Sequence, residues 1–160
     1  MPTGSPRPPA LIRNDLKARL AELERCCAAA RSPVTAQRRT VLEVLVCRSD
    51  HPTVDQVFAA VAERMPDVSR ATVYRGLETL REFGLVRRVA HPGSAVRFDG
   101  NTDPHHHFLC TRCGAIEDLP LEAVSGHEQL AFVGAETDVS AEILVHVRGV
   151  CARCRGKEAR

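Results

Sequence analysis

The sequence is poor in the features that mark several large classes of protein. No apolar run approaches the roughly 18 residues that a membrane-spanning helix needs. The stretch from Met1 to Pro9 is Pro-rich and polar and lacks the apolar centre of a secretory signal, so a cytoplasmic protein with a disordered tip at residues 1–9 is expected, with no membrane partner. Seven cysteines, an odd number, argue against a disulfide framework. No internal repeat is evident. No catalytic nucleophile or substrate pocket is readable, so the chain is not read as an enzyme. The net charge of +2 is too small to name a partner by itself.

What is present begins with an uneven charge distribution. Residues 1–100 carry 16 Lys+Arg against 11 Asp+Glu, net +5, and residues 101–160 carry 6 against 9, net −3, which together give the +2 of the chain. A basic half joined to an acidic half suggests that one half faces a polyanion. At 160 residues the chain suffices for one compact domain or two small ones.

Four helices are expected in the first half. Ile12, Leu16, Leu20, Leu23 and Cys27 repeat at helical spacing over Leu11–Ala30, and Ser32-Pro33 ends that run. Thr35, Thr53 and Ser69 each stand as N-caps before an amphipathic stretch. The fourth helix buries Val73, Leu77, Leu80 and Phe83, and Gly84 suits its C′ position. Leu85–Ala90 and Val96–Asp99 flank the turn His91-Pro92-Gly93-Ser94 and read as a hairpin. Helices followed by a hairpin are the order of a winged helix-turn-helix, expected over residues 10–99. Gly100 to Pro104 reads as a hinge. Residues 105–160 read as a small domain with strands at His107–Cys110 and Ala115–Leu119, a helix at Glu122–Phe132 and a strand at Val139–Val150. The expected class is α+β.

Three groups of residues carry chemistry. In a helix-turn-helix the second helix enters the major groove, and Arg70, Thr72, Tyr74 and Arg75 crowd the start of that helix. Arg can read guanine bidentately, and a helix N-terminus favours phosphate. Arg87 and Arg88 in the hairpin could neutralise neighbouring phosphates. The alternative is a solvated basic face of an ordinary amphipathic helix. Second, Cys110-x-x-Cys113 and Cys151-x-x-Cys154 can complete a tetrahedral four-thiolate Zn²⁺ site, structural because no position is left for substrate. The alternative is a redox dithiol. Cys26, Cys27 and Cys47 read as small core residues.

The third group is His105-His106-His107 with His51, Asp99 and Asp118. Along a strand His105 and His107 share a face and His106 points away. Three imidazoles and two carboxylates would make a mixed N/O site that suits Fe²⁺ or Mn²⁺ better than tetrahedral zinc. The alternative is a surface His run with unrelated acids.

With these residues in hand, the sequence resembles the ferric uptake regulator family. The matching stretches are Thr35-Ala36-Gln37-Arg38, His51-Pro52-Thr53, Ala71-Thr72-Val73-Tyr74-Arg75, Gly84-Leu85-Val86, Arg97-Phe98-Asp99, His105-His106-His107, Cys110-Thr111-Arg112-Cys113-Gly114 and Cys151-Ala152-Arg153-Cys154. The resemblance implies a metal-activated homodimer that binds palindromic double-stranded DNA operators and represses transcription. It implies residues 105–160 as the dimerisation domain and one structural zinc per chain on the four cysteines. It also implies one regulatory Fe²⁺ or Mn²⁺ per chain on His51, Asp99, His105, His107 and Asp118. Asp at positions 99 and 118 is similar to the peroxide-sensing branch, which points to His51 and His105 as the oxidised residues and to peroxide as the only small-molecule signal. A third metal site found in some members needs a His near Ala141-Glu142, where this chain has none. The rival reading is an iron- or manganese-responsive repressor without peroxide sensing. A metalloenzyme is the distant one.

Overall fold

A computed structural model describes residues 9–89, 95–125 and 145–156, and the described chain divides between Thr102 and Asp103 into two compact units. Among the described residues no helix is long and apolar enough to cross a membrane.

The first unit holds α1 (Pro9–Ala29), α2 (Ala36–Val46), α3 (Val54–Ala62), α4 (Arg70–Glu82) and an antiparallel pair, β1 (Arg87–Val89) with β2 (Arg97–Asp99). Each of α2, α3 and α4 starts where a hydroxyl side chain takes up an orphan backbone N–H. Thr35 accepts from Arg38, Thr53 from Gln56 in a full capping box, and Ser69 from Thr72. One core unites the helices and the hairpin, with Leu23, Leu42, Leu45, Val57, Leu77 and Phe98 all but sealed from solvent. The end of α4 is a Schellman cap. Gly84 stands at φ +68°, and Leu85 N–H reaches back to the Leu80 carbonyl at 2.9 Å. Three helices and a two-stranded wing make this a winged helix-turn-helix, as the sequence order predicts. The turn at 91–94 lies outside the described residues.

The second unit is built on a three-stranded sheet in the order β4-β3-β5. Its strands are β3 (His106–Cys110), β4 (Ile116–Leu119) and β5 (His146–Gly149). β3 pairs antiparallel with β4, setting His107 opposite Asp118, and parallel with β5, setting Cys110 opposite Gly149. The turn from β3 to β4 closes with Gly114 at φ +67°, Gly114 N–H on Cys110 O and Cys110 N–H on Ala115 O, both at 2.9 Å.

Two expected elements are only partly covered. Where a helix was expected over Glu122–Phe132, the described part holds a single 3₁₀ turn, Leu121–Ala123, and residues 126–132 lie outside the description. Of the expected strand Val139–Val150, β5 covers His146–Gly149, and residues 139–144 lie outside. One element was not foreseen, the helical turn α5 (Ala152–Arg155), which opens at Cys151 and brings Cys154 back toward it.

Among the described glycines of the first unit, Gly100 is the most tightly enclosed. A Cβ there would lie 2.7 Å from the Leu45 carbonyl oxygen, a backbone atom of α2 that cannot step aside. Gly100→Ala is therefore expected to lower stability by about 1–3 kcal/mol through forced backbone shifts. Urea denaturation of the first unit's helical signal measures this, and an unchanged midpoint would contradict the packing.

Candidate metal centres and nucleic-acid face

The thiolate cluster lies wholly in the second unit. Cys110 ends β3, Cys113 sits in the β3–β4 turn, Cys151 is the N-cap of α5 and Cys154 lies within it. The four sulfurs lie within 4.8 Å of one another, and Cys113 Sγ is 3.8 Å from Cys151 Sγ. A tetrahedral ion with ion–sulfur bonds of about 2.3 Å requires sulfur–sulfur edges of about 3.8 Å, so the residues fit. The surroundings favour thiolate at one corner. Backbone N–H groups of Cys151 and Cys113 pull the Cys110 thiol down to about 6, and Cys151 N lies 3.4 Å from Cys110 Sγ. The Ala115 N–H and then the Arg153 guanidinium lower Cys113 in the same way. Cys154 goes the other way, pushed up to about 12 because its thiol proton is shared with Cys113 and Cys151. Four adjacent sulfurs cannot all ionise without a cation among them, and a divalent ion would replace that shared proton. Phe108, Ala115 and Val150 pack around the cluster.

The N/O residues divide between the two units. In the first, His51 is buried at φ +49°, a left-handed backbone rare for a residue with a Cβ. It is held there by β2: Arg97 Nη1 donates to the His51 carbonyl at 3.0 Å, and Phe98 N–H donates to the Pro52 carbonyl at 2.9 Å. The same strand carries Asp99, whose Oδ2 lies 3.8 Å from His51 Nε2. In the second unit, His105 Nε2 and His107 Nε2 stand 3.0 Å apart, and Asp118 Oδ1 is 3.5 Å from His105 Nε2. The Asp103 carbonyl, 2.7 Å from His105 Nδ1, can only accept, so the proton sits on Nδ1 and the Nε2 lone pair is turned toward His107. With ion–nitrogen bonds of about 2.1 Å, neighbouring nitrogens are about 3.0 Å apart on an octahedron and about 3.4 Å apart on a tetrahedron. At 3.0 Å the two nitrogens can reach one ion together, and the distance is also that of an N–H···N hydrogen bond between the two rings. His106 takes the opposite face of β3, fully buried, and its Nδ1 accepts from Val145 N–H at 3.4 Å.

On α4 the structure leaves Tyr74 half exposed and places Arg70 and Arg75 in solvent. Thr72 bonds the capping Ser69 hydroxyl at 2.8 Å, and Arg70 is engaged by Asp55 of α3. Arg88 is exposed on β1 and Arg87 half-buried. Sequence reasoning missed the contribution of α2. A groove of about 630 Å³ runs along α4, and its walls include Gln37 and Arg38 of α2 beside Tyr74 and Arg75. Arg38 also braces the approach to α2, donating to Ser32 Oγ and the Pro33 carbonyl, both at 2.8 Å. The available signal was the position of both residues in the first turn after a capping threonine.

Comparison with known proteins places these features in one group. The sequence profile of the ferric uptake regulator family matches residues 30–141. The peroxide-responsive repressor PerR of Staphylococcus epidermidis is 33% identical over 137 residues, 84% of this chain and 91% of the relative. The solved Campylobacter jejuni peroxide stress regulator is 28% identical at a TM-score of 0.62, covering 84% of this chain and 98% of its own. A zinc uptake regulator, solved with zinc and DNA, is 27% identical at a TM-score of 0.60, covering 91% of this chain and 98% of its own. A winged helix, a four-cysteine cluster and metal-capable His and Asp residues on one chain are those of a metal-responsive transcriptional repressor. This chain belongs to the ferric uptake regulator family.

The thiolate cluster generates a direct prediction. Reconstitution with Co²⁺ is expected to give intense sulfur-to-cobalt absorption, and Cys113→Ser to abolish it and unfold the second unit, since a structural ion supplies folding energy. A folded Cys113→Ser chain that keeps a full equivalent of tightly bound metal would contradict the site.

Proposed function

We propose that this chain is a homodimeric, operator-binding repressor with structural Zn²⁺ on Cys110, Cys113, Cys151 and Cys154, and with regulatory Fe²⁺ or Mn²⁺ on His51, Asp99, His105, His107 and Asp118. Its iron form responds to peroxide. The observation that carries the regulatory reading is the 3.0 Å spacing of two imidazole nitrogens, one with its lone pair set by the Asp103 carbonyl. An N/O set without sulfur suits Fe²⁺ and Mn²⁺, and an ion held by these five ligands would have room for one exchangeable molecule if it took six. The relatives support the finer reading by what they are called: one a peroxide-responsive repressor, one a peroxide stress regulator, one solved with zinc and DNA.

The chain's own part in the response is positional. His51 and Asp99 come from the winged-helix unit, and His105, His107 and Asp118 from the other. A single ion bound by both sets would select one arrangement of the units, and with it the spacing of two recognition helices on half-sites about 34–36 Å apart, or a multiple of that. Metal and operator affinity are then reciprocally coupled, by about 1–3 kcal/mol. Iron, when bound, would relay electrons from a ligand ring to peroxide, so that one peroxide oxygen adds to the ring, the other leaves as water, and the iron returns to the ferrous state. The imidazoles of His51 and His105 are the groups expected to gain oxygen, and an oxidised ring no longer donates well. The clamp then opens and the operator is released.

Two measurements test this. With Mn²⁺ present, replacing both Tyr74 and Arg75 with Ala is expected to cut operator affinity at least tenfold. Replacing Arg87 alone should weaken all DNA sequences alike and reduce the salt slope by about one unit. Unchanged affinity after the double replacement would remove α4 as the reader. Mass spectrometry of the Fe²⁺ form after brief peroxide treatment is expected to find one added oxygen on the peptide carrying His51 or His105, and none in the Mn²⁺ form. Zinc-site disulfides appearing first, with both histidines intact, would point to a thiol switch. No modification would leave the metal-responsive repressor without peroxide sensing.

A further inference from the structure

Gly100, Asn101 and Thr102 have the composition of a free connection, yet each is held to the first unit. Gly100 is buried, with no room for a Cβ against the Leu45 carbonyl. Asn101 N–H donates to Asp99 Oδ1 at 2.7 Å. Half-buried Arg19, from the middle of α1, donates to the Leu85 carbonyl, to Thr102 Oγ1 and, at 3.3 Å, to the Gly100 carbonyl. The guanidinium is a rigid planar fork with five donors, suited to holding several acceptors in a fixed arrangement. Its acceptors straddle the base of the wing. Leu85 lies just before β1, and Gly100 and Thr102 lie just after β2, whose last residue is Asp99.

We propose that Arg19 is a positioning residue for the regulatory site. It latches residues 100–102 onto α1 and fixes the strand end that carries Asp99. This rests on the reading that Asp99 is a ligand of the regulatory ion. A connection already ordered costs the ion nothing further to order. A loosened one charges that ordering to metal binding, and fixing the backbone of about one residue is enough to weaken affinity roughly tenfold.

The test uses the full-length, zinc-loaded protein with Arg19→Met, which keeps an unbranched apolar stem and removes the fork. Amide exchange at Gly100–Thr102, measured without regulatory metal, is expected to accelerate at least tenfold while the α2–α4 core amides stay protected. The Mn²⁺ dissociation constant, read from the free-Mn²⁺ resonance, should rise about tenfold, and the factor by which Mn²⁺ tightens operator binding should fall. Arg19→Lys should lie between the two. If Arg19→Met does not fold, Thr102→Val removes one acceptor and should show the same changes at about threefold. Faster exchange with unchanged Mn²⁺ affinity would overturn the proposal, as would unchanged exchange. Asp118→Ala separates the two claims. Mn²⁺ affinity kept in that variant refutes the regulatory site, and the latch's purpose with it. Affinity lost there but kept in Arg19→Met refutes the latch alone.

Discussion

The alternation of side chains along one short strand is the constraint on which the second unit depends. On β3, His107 and Leu109 face one way, and His106, Phe108 and Cys110 the other. His107 therefore sits across from Asp118 in the β4 register, while Cys110, three residues on, reaches the opposite face beside Cys151. A slip of one residue in that pairing would exchange the faces and dismantle both clusters at once. Strand β2 has the same economy in the first unit. Arg97 and Phe98 hold the His51-Pro52 backbone, and Asp99 directs its carboxylate at the His51 ring. The left-handed conformation of His51 is thus over-determined by its neighbours, which is the condition under which such strain persists at a functional position.

Separating sulfur from nitrogen and oxygen ligands also separates their roles. Four thiolates around an ion would make a closed, soft site, with donor groups aimed at Cys110 and Cys113. The imidazoles and carboxylates would make a harder set, with two imidazole nitrogens already 3.0 Å apart in one half. One set would hold an ion permanently and the other would let one come and go, which is how a family of metal-responsive repressors can be both folded by metal and governed by it.

Much of this was legible in the sequence because the relevant signals are local. Thr35, Thr53 and Ser69 mark three helix starts through caps that need only three residues of context. The twin Cys pairs declare the thiolate cluster, and period-two alternation declares the shared face of His105 and His107. What was not legible is long-range or backbone-mediated. The acceptors of Arg19 lie 66 to 83 residues away, and two of the three are main-chain carbonyls with no sequence signature. The positive φ of His51 is held by contacts with β2, which no local motif records. Gly100 read as a linker glycine because composition alone cannot distinguish a flexible glycine from one pressed against Leu45. The turn α5 was hidden because four residues are too few for a helical period to show.

The proposed regulatory ion would take ligands from both units. Electron–nuclear double resonance of the Mn²⁺-loaded, zinc-replete protein, with ¹⁵N in its histidines, counts the imidazoles on that ion directly. Three coordinated histidine nitrogens are expected, falling to two in His51→Ala, with no sulfur ligand. Two nitrogens in the parent protein, unchanged by His51→Ala, would place the ion within the second unit alone and contradict the account.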